Sequence, residues 1–155
     1  MDRDTVQERI KTGSLVVMIK ILIVDDEKII RKAMAQVFKK YGDCHFAESG
    51  QEALKLFLSG LKGKDPFDLI VLDISLEDKS GLDVLKEIRI HERNKGLKKP
   101  DRAKIIMATG NQKLKMVKAC IAAGCDNYIV KPLKPSEVIA ALEKIGIPPL
   151  NDAES

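Results

Sequence analysis

Short apolar runs alternate along this chain with longer stretches of helical periodicity. Residues 19–24, 67–72 and 103–108 are almost uninterrupted apolar runs bounded by charge, the habit of strands buried on both faces of a parallel sheet. Residues 44–47 read as a weaker, shorter strand near a sheet edge, and 126–130 as a fifth strand. Ile29, Ile30, Ala33, Met34, Val37, Phe38 and Tyr41 share one face of a predicted first helix, which Gly42 closes. Ser49 and Glu52 form a capping box ahead of a second helix with Ala53, Leu54, Phe57, Leu58 and Leu61 inward, followed by a loop at 61–66. A second capping box, Ser80 to Asp83, opens a helix reaching about Arg93 with Leu82, Leu85 and Ile88 inward. Leu114, Val117, Cys120 and Ile121 mark a fourth helix ended by Gly124. Pro135 and Ser136 open a last one carrying Val138, Ile139, Leu142 and Ile145.

Alternating strand and helix units of this length predict an α/β domain, a doubly wound parallel sheet with helices on both faces. Right-handed crossovers then leave the carboxyl ends of all strands on one edge, where ligands bind in open α/β sheets. Four polar signals directly follow apolar strands and so fall on that edge: Asp25 with Asp26, Asp73, Thr109 and Lys131. Taken singly they are a helix cap, a turn aspartate, a strand threonine and a surface lysine. Their coincidence on one edge is what points to chemistry. Two carboxylates ~4 Å apart at an effective dielectric near 20 repel by about 4 kcal/mol, so the pair calls for a cation. A hard, oxygen-seeking divalent ion suits it.

Composition narrows the setting. The 155 residues are 45% hydrophobic and 32% charged, enough for one domain with a real core. No apolar run is long enough to cross a membrane or to act as a secretory signal. Three cysteines without Cys-x-x-Cys spacing predict reduced thiols in a cytoplasmic protein. The net charge of +4 is concentrated at residues 86–104, where eight basic residues oppose three acidic ones. No aromatic residue interrupts that stretch, so a solvated helix end and loop is expected there rather than a nucleic-acid surface. Residues 1–18 read as a flexible leader, 19–146 as the domain, and 147–155 as a disordered tail.

The motifs resemble the receiver domain of response regulators, the phosphorylatable module of two-component signalling. The resemblance rests on Ile-Leu-Ile-Val-Asp-Asp-Glu at 21–27, on Asp73 with Gly81 eight residues on, on Ala108-Thr109-Gly110, and on Tyr128-Ile-Val-Lys131-Pro132. It implies a flavodoxin-like five-stranded parallel sheet of order 2-1-3-4-5 with five helices. It further implies that Asp73 accepts a phosphoryl group from phosphohistidine, with Lys131 and Thr109 assisting. Mg²⁺, with Mn²⁺ as a substitute, would be held by Asp26, Asp73, the Ser75 backbone carbonyl and, through water, Asp25. Thr109 and Tyr128 would act as the switch, and Lys131-Pro132 would be cis. Asp78 and Asp83 are read as capping or solvent residues. The implied partners are a sensor histidine kinase or a histidine phosphotransfer protein, and a downstream protein on the face of the fourth helix, fifth strand and fifth helix. Dimerisation on phosphorylation is also allowed, and no DNA-binding module is expected after Gly146.

Two departures stand out. Glu77 occupies the place of the family's usual proline, which predicts a more mobile loop at 75–80, and the loops at 60–65 and 94–102 are long. Rival readings are a metal-dependent phosphohydrolase using the same carboxylates and a receiver-like scaffold that signals without phosphate. A flavin or dinucleotide site is disfavoured, because no glycine-rich turn follows a strand.

Overall fold

A computed structural model describes residues 18–110 and 114–150. The leader up to residue 17, residues 111–113 and the last five residues of the tail lie outside the described residues. Five parallel strands, β1 (Ile19–Val24), β2 (Gly42–Ala47), β3 (Leu69–Asp73), β4 (Lys104–Thr109) and β5 (Asn127–Val130), pair in the order β2-β1-β3-β4-β5. Five helices connect or follow them: α1 (Lys28–Phe38), α2 (Gly50–Lys62), α3 (Gly81–Asn94), α4 (Leu114–Ala122) and α5 (Pro135–Lys144). This is the flavodoxin-like topology that the sequence motifs imply.

The pleat divides the core into two layers. Ile21 and Ile23 of β1, with Leu69, Val71, Ile106 and Ile129, pack against Met34 and Phe38 of α1 and Val138 and Leu142 of α5. The alternate residues Leu22, Val24, Ile70, Leu72, Ile105 and Met107 pack against Phe57 of α2, Val84, Leu85 and Ile88 of α3 and Cys120 of α4. Because both faces are covered, the central strands are apolar at consecutive positions, which is why their sequence pattern is so plain.

The helices depart from the predicted faces. Ile29 is 80% exposed and Ala33 is exposed too, so α1 buries the narrower stripe of Met34 and Phe38 with Ile30 alongside. Leu114, Ile121 and Ile139 are likewise exposed. A surface helix needs only about three apolar positions in two turns, and the surplus carries no mark in the sequence. The second helix runs on to Lys62 through the expected start of the loop, and the first ends at Phe38, so Gly42 opens β2 instead of closing α1. Both expected caps form: the Ser49 and Ser80 hydroxyls accept the N–H groups of Glu52 and Asp83, each at 3.1 Å. At the far end of the domain Ile147 is buried and the Leu150 N–H donates to the Lys40 carbonyl at 2.8 Å.

The basic stretch is not uniformly solvated. Arg89 and Glu92 are buried, and the guanidinium donates to Glu92 Oε1 at 2.7 Å, to the Ala103 carbonyl at 2.8 Å and to Asp126 Oδ2 at 3.1 Å. Its Nε donates to the Gly124 carbonyl at 3.0 Å. The same carboxylates accept the Ala103 N–H at 2.7 Å and the Ile105 N–H at 2.8 Å, so this charged cluster ties α3 to the start of β4 and the loop before β5. Tertiary partners, invisible in a linear charge count, turn one of the eight basic residues inward. Arg89→Ala would leave Glu92 buried and unpaired, and urea unfolding should report a loss of about 3–5 kcal/mol. The exposed neighbour Arg93→Ala should stay within about 0.5 kcal/mol of the parent.

Candidate functional site

The four polar signals do meet at the carboxyl edge. Asp25, the first residue beyond β1, is fully buried, and its N–H donates to the Ala47 carbonyl at 3.2 Å. Its carboxylate is divided between two partners: Oδ1 accepts the Glu27 N–H at 2.9 Å and Oδ2 accepts the Lys131 ammonium at 2.7 Å. Asp73 ends β3 and is 3% exposed. Its Oδ1 accepts the Ser75 N–H at 3.0 Å, and its Oδ2 lies 3.3 Å from the same Lys131 nitrogen. One ammonium therefore bridges two carboxylates from different strands.

Local structure fixes each member. Lys131 directly follows β5, its N–H donates to the Thr109 carbonyl at 2.8 Å, and the Lys131-Pro132 bond is cis. Thr109 is buried at the end of β4, whose neighbour Ala108 is in register with Asp73. Gly81 opens α3 directly against Asp73: a Cβ there would collide with the Asp73 carbonyl oxygen and come within 2.8 Å of Ile74 Cα. Tyr128 sits on the edge strand, 42% exposed and in register with Met107.

The loop after Asp73 is held across the surface. Asp78 accepts the N–H groups of Gly50 and Gln51, each at 2.9 Å, so from this loop it caps α2. The Gly50 hydrogen bond leads the causes that hold its carboxyl below the usual range. The Gly81 N–H closes the loop on the Ile74 carbonyl at 2.8 Å.

Electrostatically the site is short of positive charge. Burial pushes the Asp73 carboxyl above its usual value and the nearby Asp25 adds to this, while the Ser75 N–H and Lys131 only partly oppose it. Burial also works against the charge on Lys131, but its hydrogen bond to Asp25 and the charge of Asp73 prevail and raise its pKa. Asp25, Asp26 and Glu27 each offer a carboxylate oxygen, all within 4.8 Å of one another. An all-oxygen, anionic donor set suits a hard divalent cation such as Mg²⁺. Glu27 was not among the expected ligands, although it adjoins them in the sequence. Arg31 was missed as well: its guanidinium donates to the Asp25 carbonyl at 2.8 Å and to Glu48 Oε1 at 3.2 Å.

The Asp73 carboxyl makes a stability prediction with a definite sign. A folded-state pKa above the unfolded value means that the folded protein holds this proton more tightly, so the contribution is favourable at low pH and lost as pH rises through the folded pKa. In metal-free buffer near pH 7, Asp73→Asn should therefore raise Tm. The difference should shrink as pH falls toward the ordinary aspartate value of 3.8. A difference independent of pH would contradict this.

Sequence and structure comparisons agree with the fold. The family model for the response regulator receiver domain matches residues 21–143. The chemotaxis protein CheY of Thermotoga maritima is 33% identical over 128 residues, covering 81% of this chain and 96% of that protein. The hybrid signal transduction histidine kinase A of Dictyostelium discoideum is 34% identical over 82% of this chain, which spans only 6% of that much longer protein. The CheX-CheY-BeF3-Mg complex of Borrelia burgdorferi contains a chain that superposes with a TM-score of 0.71 at 26% identity, covering 84% of this chain and 90% of that one. Among the described residues no helix is long and apolar enough to cross a membrane. The chain belongs to the response regulator receiver domain family.

Proposed function

We propose that the protein is a Mg²⁺-dependent phosphoacceptor, taking a phosphoryl group from phosphohistidine onto Asp73 and thereby switching a protein-binding face. The observation that carries this reading is the buried Asp73 carboxylate at the end of β3, held by a lysine that it shares with Asp25. Asp73 supplies the attacking oxygen. The new oxygen–phosphorus bond forms as the bond to the donor imidazole nitrogen breaks, and that nitrogen keeps the electron pair and is protonated. The product is an acyl phosphate. Later attack by water returns the carboxylate and releases inorganic phosphate.

A carboxylate is a weak nucleophile and the incoming group is an anion, so alignment and charge neutralisation do most of the work. Asp26 and Asp73, with the Ser75 carbonyl and, through water, Asp25, would hold Mg²⁺, and the Glu27 carboxylate lies close to those of Asp25 and Asp26. When bound, the ion supplies the divalent charge that lets anionic oxygens gather in one place. Lys131, a compact charge on a long stem, is suited to neutralise a phosphoryl oxygen while remaining near Asp73. The Thr109 hydroxyl is suited to donate to another.

The face made by α4, β5 and α5 is the proposed output surface. Leu114 and Ile121 of α4, Tyr128 of β5 and Ile139 of α5 are exposed and available to a protein partner. Thr109 and Tyr128 on adjacent strands would link the phosphate to that face. Inverting a mostly inactive population takes about 5.5 kcal/mol of differential stabilisation, within reach of a doubly charged group meeting Lys131 and Mg²⁺. The donor would be a histidine kinase or histidine phosphotransfer protein in the cytoplasm.

Acetyl phosphate with Mg²⁺ should add one phosphoryl group, read by intact mass under acidic quench. EDTA should abolish the gain, and so should Asp73→Asn. Undiminished labelling of Asp73→Asn would overturn the assignment. Repeated turnover of a phosphomonoester would favour the hydrolase reading.

A further inference from the structure

Arg31 is a cation placed beside an acidic cluster. It lies one turn into α1, directly behind Asp25, Asp26 and the N-cap residue Glu27. Yet its hydrogen bonds do not go to those carboxylates. One arm of the guanidinium donates to the backbone carbonyl of Asp25 at 2.8 Å, and the other reaches Glu48 on the loop between β2 and α2 at 3.2 Å. The Arg31 side chain is 12% exposed while Glu48 is 69% exposed, so the carbonyl contact is the sheltered one. Screening by water makes the Glu48 pair a minor contributor.

The Asp25 carbonyl belongs to the peptide group that joins Asp25 to Asp26. The N-cap residue Glu27 makes no side-chain capping bond to α1, so this turn is held by contacts to Asp25. The Asp25 N–H is tied to Ala47 and the Asp25 side chain to Lys131 and the Glu27 N–H. Asp26 follows this anchored peptide and is only half-buried. We propose that Arg31 is the positioning residue of the cation site: by holding the Asp25–Asp26 peptide it orients the two carboxylates toward one metal ion. The inference rests on the proposed Mg²⁺ site. Planar guanidinium suits the task because two arms can grip two loops at once, which an ammonium does not reproduce.

The sign of the effect separates positioning from simple charge. Removing a positive group beside three carboxylates should by Coulomb's law strengthen binding of a divalent cation. Loss of positioning should weaken it, and groups that orient metal ligands typically change affinity about 10–100-fold. Titration with MgCl₂ alone, followed by the amide resonances of Asp26 and Glu27 well below Tm, makes the comparison on folded protein. Arg31→Ala should weaken Mg²⁺ binding about tenfold, Arg31→Lys should recover part of the loss, and Glu48→Gln should remain within about twofold of wild type. Unchanged or tighter binding in Arg31→Ala, with wild type binding normally, would overturn the role of Arg31 alone. Failure of the wild-type resonances to respond to Mg²⁺ would overturn the metal site itself, and this inference with it.

Discussion

One ammonium between two buried carboxylates is the constraint on which the site depends. Lys131 lies 2.7 Å from Asp25 and 3.3 Å from Asp73, and all three are largely withdrawn from water. Burying two like charges is unfavourable unless a counter-charge is shared between them, and a single lysine leaves the balance negative. Burial is what chiefly raises the Asp73 carboxyl above its usual value, with the charge of Asp25 adding to it. The excess negative charge is what suits the edge to a divalent cation. The same excess would repel an incoming phosphoryl group until a cation is bound. Ligand affinity and intrinsic instability of the site thus have one origin.

The sheet makes this arrangement reachable from a linear chain. Lys131 and Asp25 are 106 residues apart, yet parallel strands deliver both to one edge because every crossover returns to the same starting side. The two edges of the sheet use charge differently. On the carboxyl side the carboxylates outnumber their cation. At the opposite edge Arg89 meets Glu92, Asp126 and two backbone carbonyls, and each carboxylate also accepts a backbone N–H. That cluster uses its polar groups on one another and has the character of a structural tie, whereas the first retains unbalanced charge available to a ligand.

Much of this was legible in the sequence, for physical reasons that differ by element. The strands were plain because double burial demands consecutive apolar residues, and the candidate site residues were plain because each abruptly ended such a run. Helix surfaces were less legible. Ile29 and Ile121 fit a helical spacing as well as Met34 and Cys120 do, and only packing decides which side is buried. Arg89 and Arg31 were hidden for another reason: apart from Glu92, one helical turn beyond Arg89, their partners are backbone carbonyls and distant carboxylates that the sequence does not place. A basic residue one turn beyond the run Asp25-Asp26-Glu27 was the local signal for Arg31. For Arg89 no comparable local anomaly existed.

The most direct test of the central claim is chemical mapping of the phosphorylated residue. Borohydride reduces an acyl phosphate to an alcohol, so an aspartyl phosphate becomes homoserine and a peptide sequence locates it. After phosphorylation and reduction, tandem mass spectrometry should find homoserine at position 73 and leave Asp25 and Asp26 unchanged. Homoserine at Asp25 or Asp26, or phosphate that persists on Ser75 or Thr109 through the reduction, would contradict the account.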